Sequence, residues 1–326
     1  ICINPVWAQV ETEYFPTATE NIVATSTAEI IQVLEYTVPA RELKPEPIIR
    51  VGLYKTSETV KFKSEFVYEI WTGGVSRGGV SPGEVVEISY KKALYTVKSD
   101  SVEFSSTEYF RFIPQDQNSF FSLENYNRPV KGRGKINFNV YRGALEYRYS
   151  PKSKMPYVIN ELPLDSYVAG IAETHDSAST EYIKALSVAA RSYAYTHISK
   201  SAPTEKRLFD VFPTTADQLY LGYNSELFMP RATQATKDTY GEMVTYKSNP
   251  VMTFYFSHSN GNTKSADKYR PWLKSVVAKY DKGKKMLGHG LGMSNYDAQQ
   301  RDMKDGWTYQ QILEYYYADT KVEKVY

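Results

Sequence analysis

Apolar and polar positions alternate with the period of a strand along residues 48–120. Val60 and Phe62 are apolar where Lys61 and Lys63 are charged, and short β-branched or aromatic runs recur at 48–53, 85–90, 94–97 and 109–113. Gly73-Gly74, Gly78-Gly79 and Pro82-Gly83 mark turns between them. These signals predict a small antiparallel β region. From about residue 134 the character changes. Residues 136–141 alternate once more, and 145–149 predict a partner strand. Over 181–198 the apolar period becomes helical, through Tyr182, Ala185, Leu186, Ala189 and Tyr193. Ile183, Val188, Ala190 and Ala194 widen that face, so the helix is expected to be well buried. Further helices are predicted over 308–317 and 231–239. Strands and helices alternate irregularly, which gives an α+β class with an N-terminal antiparallel β region.

The first 47 residues read differently. Residues 17–27 are polar and rich in Ala and Thr, 28–35 predict a short helix, and Pro39, Pro45 and Pro47 keep their segment extended. Val6-Trp7-Ala8 before Gln9 is spaced like the end of a secretory signal. The chain opens on Ile1 rather than Met and is read as a fragment. The expected organisation is a signal-peptide remnant, tail and linker over 1–47, a β-rich region over 48–120 and a further domain over 121–326. The expected location is extracytoplasmic.

Composition narrows the chemistry. The 326 residues carry a formal net charge of +2 and no basic run, which argues against nucleic acid as a partner. A single cysteine, Cys2, rules out a disulfide within the chain and a Cys-rich zinc site. No run of 18 apolar residues occurs. The 29 tyrosines suit sugar stacking as well as ordinary cores.

Two stretches stand out as chemistry. Residues 287–298 hold Gly288, Gly290 and Gly292 around His289, followed by Met293, Ser294, Asn295 and Tyr296. Glycines so placed let a backbone bend sharply or a ligand come close, at a cost in strand stability. The second is Glu173, just before the buried helix and close to Gly170 and Ala172. A carboxyl held beside apolar structure has a raised pKa and can donate a proton to a leaving oxygen. A Glu ahead of a helix is also an ordinary dipole partner.

Residues 163–173, the helix with Ala189-Ala190-Arg191, and Tyr141-Arg142-Gly143 together resemble the SpoIID/LytB family, which acts on bacterial cell-wall glycan. The segment around Gln218 and Tyr220 is similar to the family's Gln-x-Tyr-x-Gly. The loop with Ser257, Ser259 and Thr263 is similar to its Ser-x-Ser-Gly-Gly-x-Thr, with Asn260 for the first Gly. Gly288-His289-Gly290-Leu291-Gly292-Met293-Ser294 is close to its Gly-His-Gly-Val-Gly-Met-Ser, and Tyr296 follows.

Anchored on the helix, the resemblance implies that Glu173 is the single acid/base of a peptidoglycan lytic transglycosylase. Two residues fewer than usual separate Gly170 from it, and counting from Gly170 instead would point to His175. Arg191, Gln218, Tyr220, Ser257, Ser259, Thr263, His289, Ser294 and Tyr296 are implied as substrate-binding residues. Arg191 is required to face substrate or Asp176, since pairing with Glu173 would lower the acid's pKa; the other reading is a structural ion pair. No cofactor is implied. A metal site built from His175, His258 and His289 is the minority reading, and no His-x-x-x-His spacing supports it. The implied partners are peptidoglycan glycan strands. The competing implication is a non-catalytic glycan-binding module that enhances a cell-wall amidase.

Overall fold

The computed structural model describes residues 43–198 and 207–326, and residues 46–326 form one unit by their contacts. The signal-like Val6-Trp7-Ala8, the helix expected over 28–35 and the linker up to residue 42 lie outside the described residues.

The chain begins with β1 (Ile48–Lys55), β2 (Val60–Ser64), β3 (Tyr68–Thr72), β4 (Val75–Val80), β5 (Val86–Lys91) and β6 (Leu94–Lys98). It continues through β7 (Glu103–Ser106), β8 (Phe110–Pro114), β9 (Phe120–Leu123), β10 (Val140–Arg142), β11 (Ala144–Ser150) and β12 (Met155–Pro163). Helices then enter: α1 (Leu164–Ala169), α2 (Thr180–His197), α3 (Tyr223–Phe228) and α4 (Pro230–Asp238). The last part holds β13 (Glu242–Tyr246), β14 (Asn249–Pro250), β15 (Tyr255–Phe256), β16 (Met293–Ser294), α5 (Asn295–Asp305), α6 (Tyr309–Tyr316) and β17 (Thr320–Lys324).

The α+β class is the one the patterns predict. Two six-stranded sheets are ordered β1-β12-β11-β8-β3-β4 and β10-β9-β2-β5-β6-β7, and all their pairings are antiparallel. The alternation on β2 is realised: Val60, Phe62 and Ser64 are buried, Lys61 is exposed and Lys63 is half-buried. Their inner faces meet through aromatic rings. Phe62 of β2 lies 4.5 Å from Phe112 of β8, and Tyr68 of β3 lies 4.9 Å from Phe121 of β9. Edge contacts of this kind add to the stabilisation from burial alone. Each sheet draws strands from both sides of residue 120, so the β-rich region and the chain that follows share their hydrogen-bond ladders.

The strand expected over 136–141 is shorter than its pattern. Only Val140–Arg142 pairs as β10, because Asn137 turns its side chain to the backbone of Arg128 and Tyr126.

A second core surrounds α2, with Ala185, Val188 and Ala189 fully buried against residues such as Leu313, Tyr316 and Tyr317. The helix is covered by α1, α4, α5, α6 and β13. This explains its apolar breadth. The helix over 309–316 starts at a capping box, in which Thr308 and Gln311 satisfy each other's backbone N–H.

A strap ties the two cores together. Arg50 Nε donates to Leu208 O at 3.0 Å, Arg50 N donates to the Asp210 carboxylate, and Val51 bridges Val211 in parallel. Gly52 is required beneath it, since a Cβ there would meet the Phe209 ring at 2.5 Å. The strap leads directly into residues 214–218, one wall of the cleft described next.

Candidate functional site: an acid in an aromatic cleft

An open cleft of about 270 Å³ lies between the chain before β13 and the segment around β15. Glu173, Tyr193, Asp217, Phe254, Tyr255 and His289 are among its walls, with Thr215, Ala216, Gln218, Thr253, Phe256, Ser257 and Gly288.

Glu173 is set by three short devices. After α1 the chain stops at Gly170, where the ring of Tyr220 packs so close that a Cβ would sit 2.4 Å from it. Ile171 then bridges Tyr220, and Ala172 N–H donates to Leu219 O at 2.8 Å. Arg133 clamps the turn from behind, donating to the carbonyls of Ala172 and Thr174 at 2.6 and 2.7 Å. The half-buried carboxylate accepts the Leu219 N–H on Oε1 at 3.1 Å and the Tyr255 hydroxyl on Oε2. Burial pushes this carboxyl above its ordinary value, and the hydrogen bonds from Tyr255 and Leu219 pull back part of the rise. Among the described residues no ion pair is formed by this carboxyl, so the net shift favours its protonated form relative to an ordinary Glu.

The opposite wall is aromatic. The His289 ring packs against Phe254 and Phe256 at 5.6 and 5.5 Å, and Phe254 meets Tyr193 at 5.9 Å. His289 Nδ1 accepts the Leu291 N–H at 3.0 Å. Burial lowers the imidazole pKa, a hydrogen bond to the Tyr255 backbone raises it, Lys264 lowers it again, and the net shift is downward. The ring is therefore neutral at pH 7. The glycines around it serve a different end from the ligand approach expected of them. At Gly292, with φ +72°, a Cβ would lie 2.0 Å from Phe254 O, and at Gly288 it would lie 2.7 Å from Phe256 Cβ. They let this loop lie flush on the β15 segment, which pairs in parallel with β16.

The structure separates the residues singled out in the sequence. Glu173, Gln218, Ser257 and His289 line the cleft; Arg191, Tyr220, Ser259, Thr263, Ser294 and Tyr296 do not. Arg191 is fully buried and pairs with Asp165, with Nη2 at 2.5 Å, and donates to Glu242 O and Thr236 O. It reaches neither the cleft nor Asp176, whose carboxylate instead accepts the N–H groups of Arg231 and Ala232. Tyr220 is buried, and its hydroxyl donates to Asn160 at 2.8 Å.

Ser259 and Ser294 are fully buried on one carboxylate: Ser259 N–H and Ser294 O–H both donate to Asp281 Oδ2, at 2.7 and 2.6 Å. Thr263 is buried and its hydroxyl accepts the Val276 N–H. Tyr296 is exposed, opens α5 and carries Lys284 Nζ 3.8 Å above its ring. The physical reason is common to the hydroxyl residues: a loop rich in Ser, Thr and Gly must satisfy its own buried backbone first. His175 is exposed and outside the cleft. Among the described residues no group of three or more His, Cys, Asp or Glu is placed to hold a metal, so His175, His258 and His289 do not converge.

Residues 152–246 match the family model described as "Stage II sporulation protein" (SpoIID). That match, with the relatives below, supports assigning residues 152–246 to the SpoIID family. Stage II sporulation protein D of Bacillus subtilis (strain 168) is 28% identical over 162 residues, covering 43% of this chain and 47% of the relative. An uncharacterized protein of Brachyspira hyodysenteriae is 35% identical over 134 residues, 40% of this chain and 35% of that one. Stage II sporulation protein D of Bacillus amyloliquefaciens is 28% identical over 141 residues, 38% and 41% of the two chains. The matches span less than half the length of these relatives. The SpoIID segment carries Glu173, Arg191, Gln218 and Tyr220, whereas Tyr255 and His289 come from the chain beyond it.

Three cleft residues went unrecognised in the sequence. Tyr193 is helix core as its spacing predicts, and its hydroxyl also donates to Asp217 at 3.0 Å. Asp217 also accepts the Phe212 N–H, so it ties the strap to the cleft. Tyr255 sits in the aromatic run Phe254-Tyr255-Phe256, whose local signal is its place beside a Ser-rich loop.

Proposed function

We propose that this SpoIID-family protein is a peptidoglycan lytic transglycosylase. A cell-wall lytic role follows at the level of the family. The observation that carries the finer reading is Glu173: a carboxyl in an open aromatic cleft, protonated more readily than an ordinary Glu and paired with no cation among the described residues. In this reading Glu173 gives its proton to the glycosidic oxygen leaving C1 of N-acetylmuramic acid, and the C1–O bond to N-acetylglucosamine breaks. The resulting carboxylate takes the proton of the muramic 6-hydroxyl as that oxygen bonds to C1, which closes a 1,6-anhydro ring. One carboxylate serves both steps, whereas ordinary glycoside hydrolysis uses a second. Phe254, Phe256, Tyr193 and His289 offer faces for sugar rings, and Ser257 a free hydroxyl at the rim. An exported, wall-associated setting fits this substrate and is part of the proposal.

A second reading keeps the cleft and drops the chemistry. Both oxygens of Glu173 already accept a hydrogen bond, as a purely structural carboxylate would. The protein would then bind glycan and enhance an amidase.

Incubation with peptide-free glycan strands, followed by mass spectrometry, separates these readings. Anhydro ends that disappear in Glu173→Gln support the transglycosylase. Reducing ends mean hydrolysis, with Asp217 the other carboxylate of the cleft. Binding without cleavage supports the amidase-enhancing module.

A further inference from the structure

Glu173 ends a chain of hydrogen bonds that begins in the protein core. The Tyr167 hydroxyl, fully buried, donates to Gln218 Oε1 at 3.0 Å. Gln218 Nε2 donates to Ala190 O at 3.2 Å and to the Tyr255 hydroxyl oxygen at 2.8 Å. The Tyr255 hydroxyl donates to Glu173 Oε2.

Each link constrains the next. An amide has one acceptor and two donors, and here all three are used. Turning the Gln218 amide over would set its oxygen against Ala190 O and its N–H₂ against the Tyr167 hydroxyl, so its orientation is determined. The N–H that Gln218 gives Tyr255 occupies the phenol oxygen as an acceptor. The one Tyr255 proton is thereby directed to Glu173.

We propose that Tyr255 is the positioning residue of Glu173, aimed by Gln218 and Tyr167 so that the carboxyl plane is held between the Tyr255 hydroxyl and the Leu219 N–H with its remaining lone pairs free for substrate. The proposal rests on Glu173 being the acid. It assigns Gln218 an internal task in place of sugar binding, and gives Tyr167 a part although it lies outside the cleft.

Toward Glu173, Tyr255 acts only as a donor. Burial first, and then the Glu173 charge, hold its phenol well above the ordinary tyrosine range, so it keeps its proton wherever the enzyme works. The titratable groups that face Glu173 from the packed elements are Tyr167 of α1, Tyr182 and Tyr193 of α2, Asp217 of the strap and Tyr255 of β15, with His289 across the cleft. Arg133 is the cation behind the turn, and it is spent on two carbonyls. Among these groups only Tyr255 donates to the carboxylate, so its removal leaves the burial cost of ionising Glu173 less compensated.

The test is direct titration of Glu173 in the whole chain, by carbon-13 NMR of side-chain-labelled glutamate, with Glu173→Gln used to assign the signal. Tyr255→Phe is expected to raise the midpoint by about one unit or more. Tyr167→Phe, which removes no hydrogen bond to Glu173 and lies outside the cleft lining, is expected to raise it by less, because the Gln218 amide loses its fixed orientation. The alkaline limb of glycan cleavage should move up in the same order. Tyr167→Phe also serves if Tyr255→Phe does not fold. A midpoint unchanged or lowered in the variants that fold overturns the proposal. Cleavage that persists in Glu173→Gln sinks the acid reading instead, while the order of midpoints still decides the role of Tyr255.

Discussion

Asp165 and Glu173 stand eight residues apart, on either side of the end of α1, and their surroundings are opposites. Asp165 has a cation. Arg191 donates to its Oδ1 from Nε and Nη2, and the Tyr326 hydroxyl donates to Oδ2 at 2.5 Å. Around this pair Glu46 accepts the Asp165 N–H and the Tyr240 hydroxyl. Burial disfavours the Arg191 charge, but Asp165, Tyr326 and Glu242 together more than offset it and the pKa rises. Among the described residues Glu173 has only neutral donors, a hydroxyl and a backbone N–H, and it opens on a cleft. A buried carboxylate with a cation stays ionised and welds elements together. One with neutral donors keeps a proton within reach. The same stretch of chain thus supplies a fastener and the carboxyl proposed as the acid, and the arginine expected to touch substrate belongs to the fastener.

The largest effect that would break this contrast is Arg191→Ala. It strands the Asp165 charge in the interior, and a loss of about 3–5 kcal/mol is expected in urea unfolding. Changing both partners to apolar residues, Arg191→Met with Asp165→Leu, should recover much of it. If Arg191 were a substrate residue, stability would barely move.

Glu173→Gln makes the complementary case. Cleavage of glycan strands should fall by about 10²–10⁴-fold, the usual share of general acid–base catalysis. Its effect on stability has a definite sign. The folded pKa of Glu173 lies above the unfolded one, so the fold favours the protonated form. That contribution is present below the ordinary carboxylate range and is lost as pH rises through the raised value. The variant should therefore gain melting temperature at pH 8 relative to the native protein, and gain less at pH 4. An equal change at both pH values would show that the carboxyl is not perturbed.

Two serines sharpen the distinction on a smaller scale. Ser294→Ala removes the hydroxyl bond to buried Asp281 and should cost about 1–3 kcal/mol in denaturant unfolding. Ser257 is exposed at the cleft, so Ser257→Ala should change stability by no more than about 0.5 kcal/mol. It should weaken binding of glycan strands by about two- to tenfold, measured by calorimetry. Equal behaviour of the two would erase the difference between loop fastening and substrate contact.

Much of the architecture was legible because it follows from periodicity. Alternation on β2 and helical spacing on α2 place side chains on the faces they occupy, since a pleat and a helix impose those periods whatever surrounds them. Elements whose pattern is weak were missed. β4 is Gly-rich and almost wholly exposed, and α5 is polar over most of its length, with Asp297 and Arg301 buried as an ion pair at 2.6 Å. No periodicity marks a helix whose buried positions are charged. The site was half legible. Glu173 and His289 were found from local composition and family resemblance. The buried fate of Ser259, Thr263 and Ser294 was not, because a hydroxyl in a Gly-rich loop looks the same whether it meets solvent or Asp281.

The sequence by itself determined the α+β class and the buried helix bearing Arg191, and it singled out Glu173, with His175 by the other count, as the candidate acid. Each depends on neighbours within a few residues, and local geometry carries that information. Only the tertiary structure decided which carboxyl received the cation. Arg191 lies 26 residues from Asp165 along the chain, and Tyr255 lies 82 from Glu173. Charge pairing and desolvation act through space over a few ångströms, so the packing of α1, α2 and β15 makes Asp165 the salt bridge and leaves Glu173 the proton.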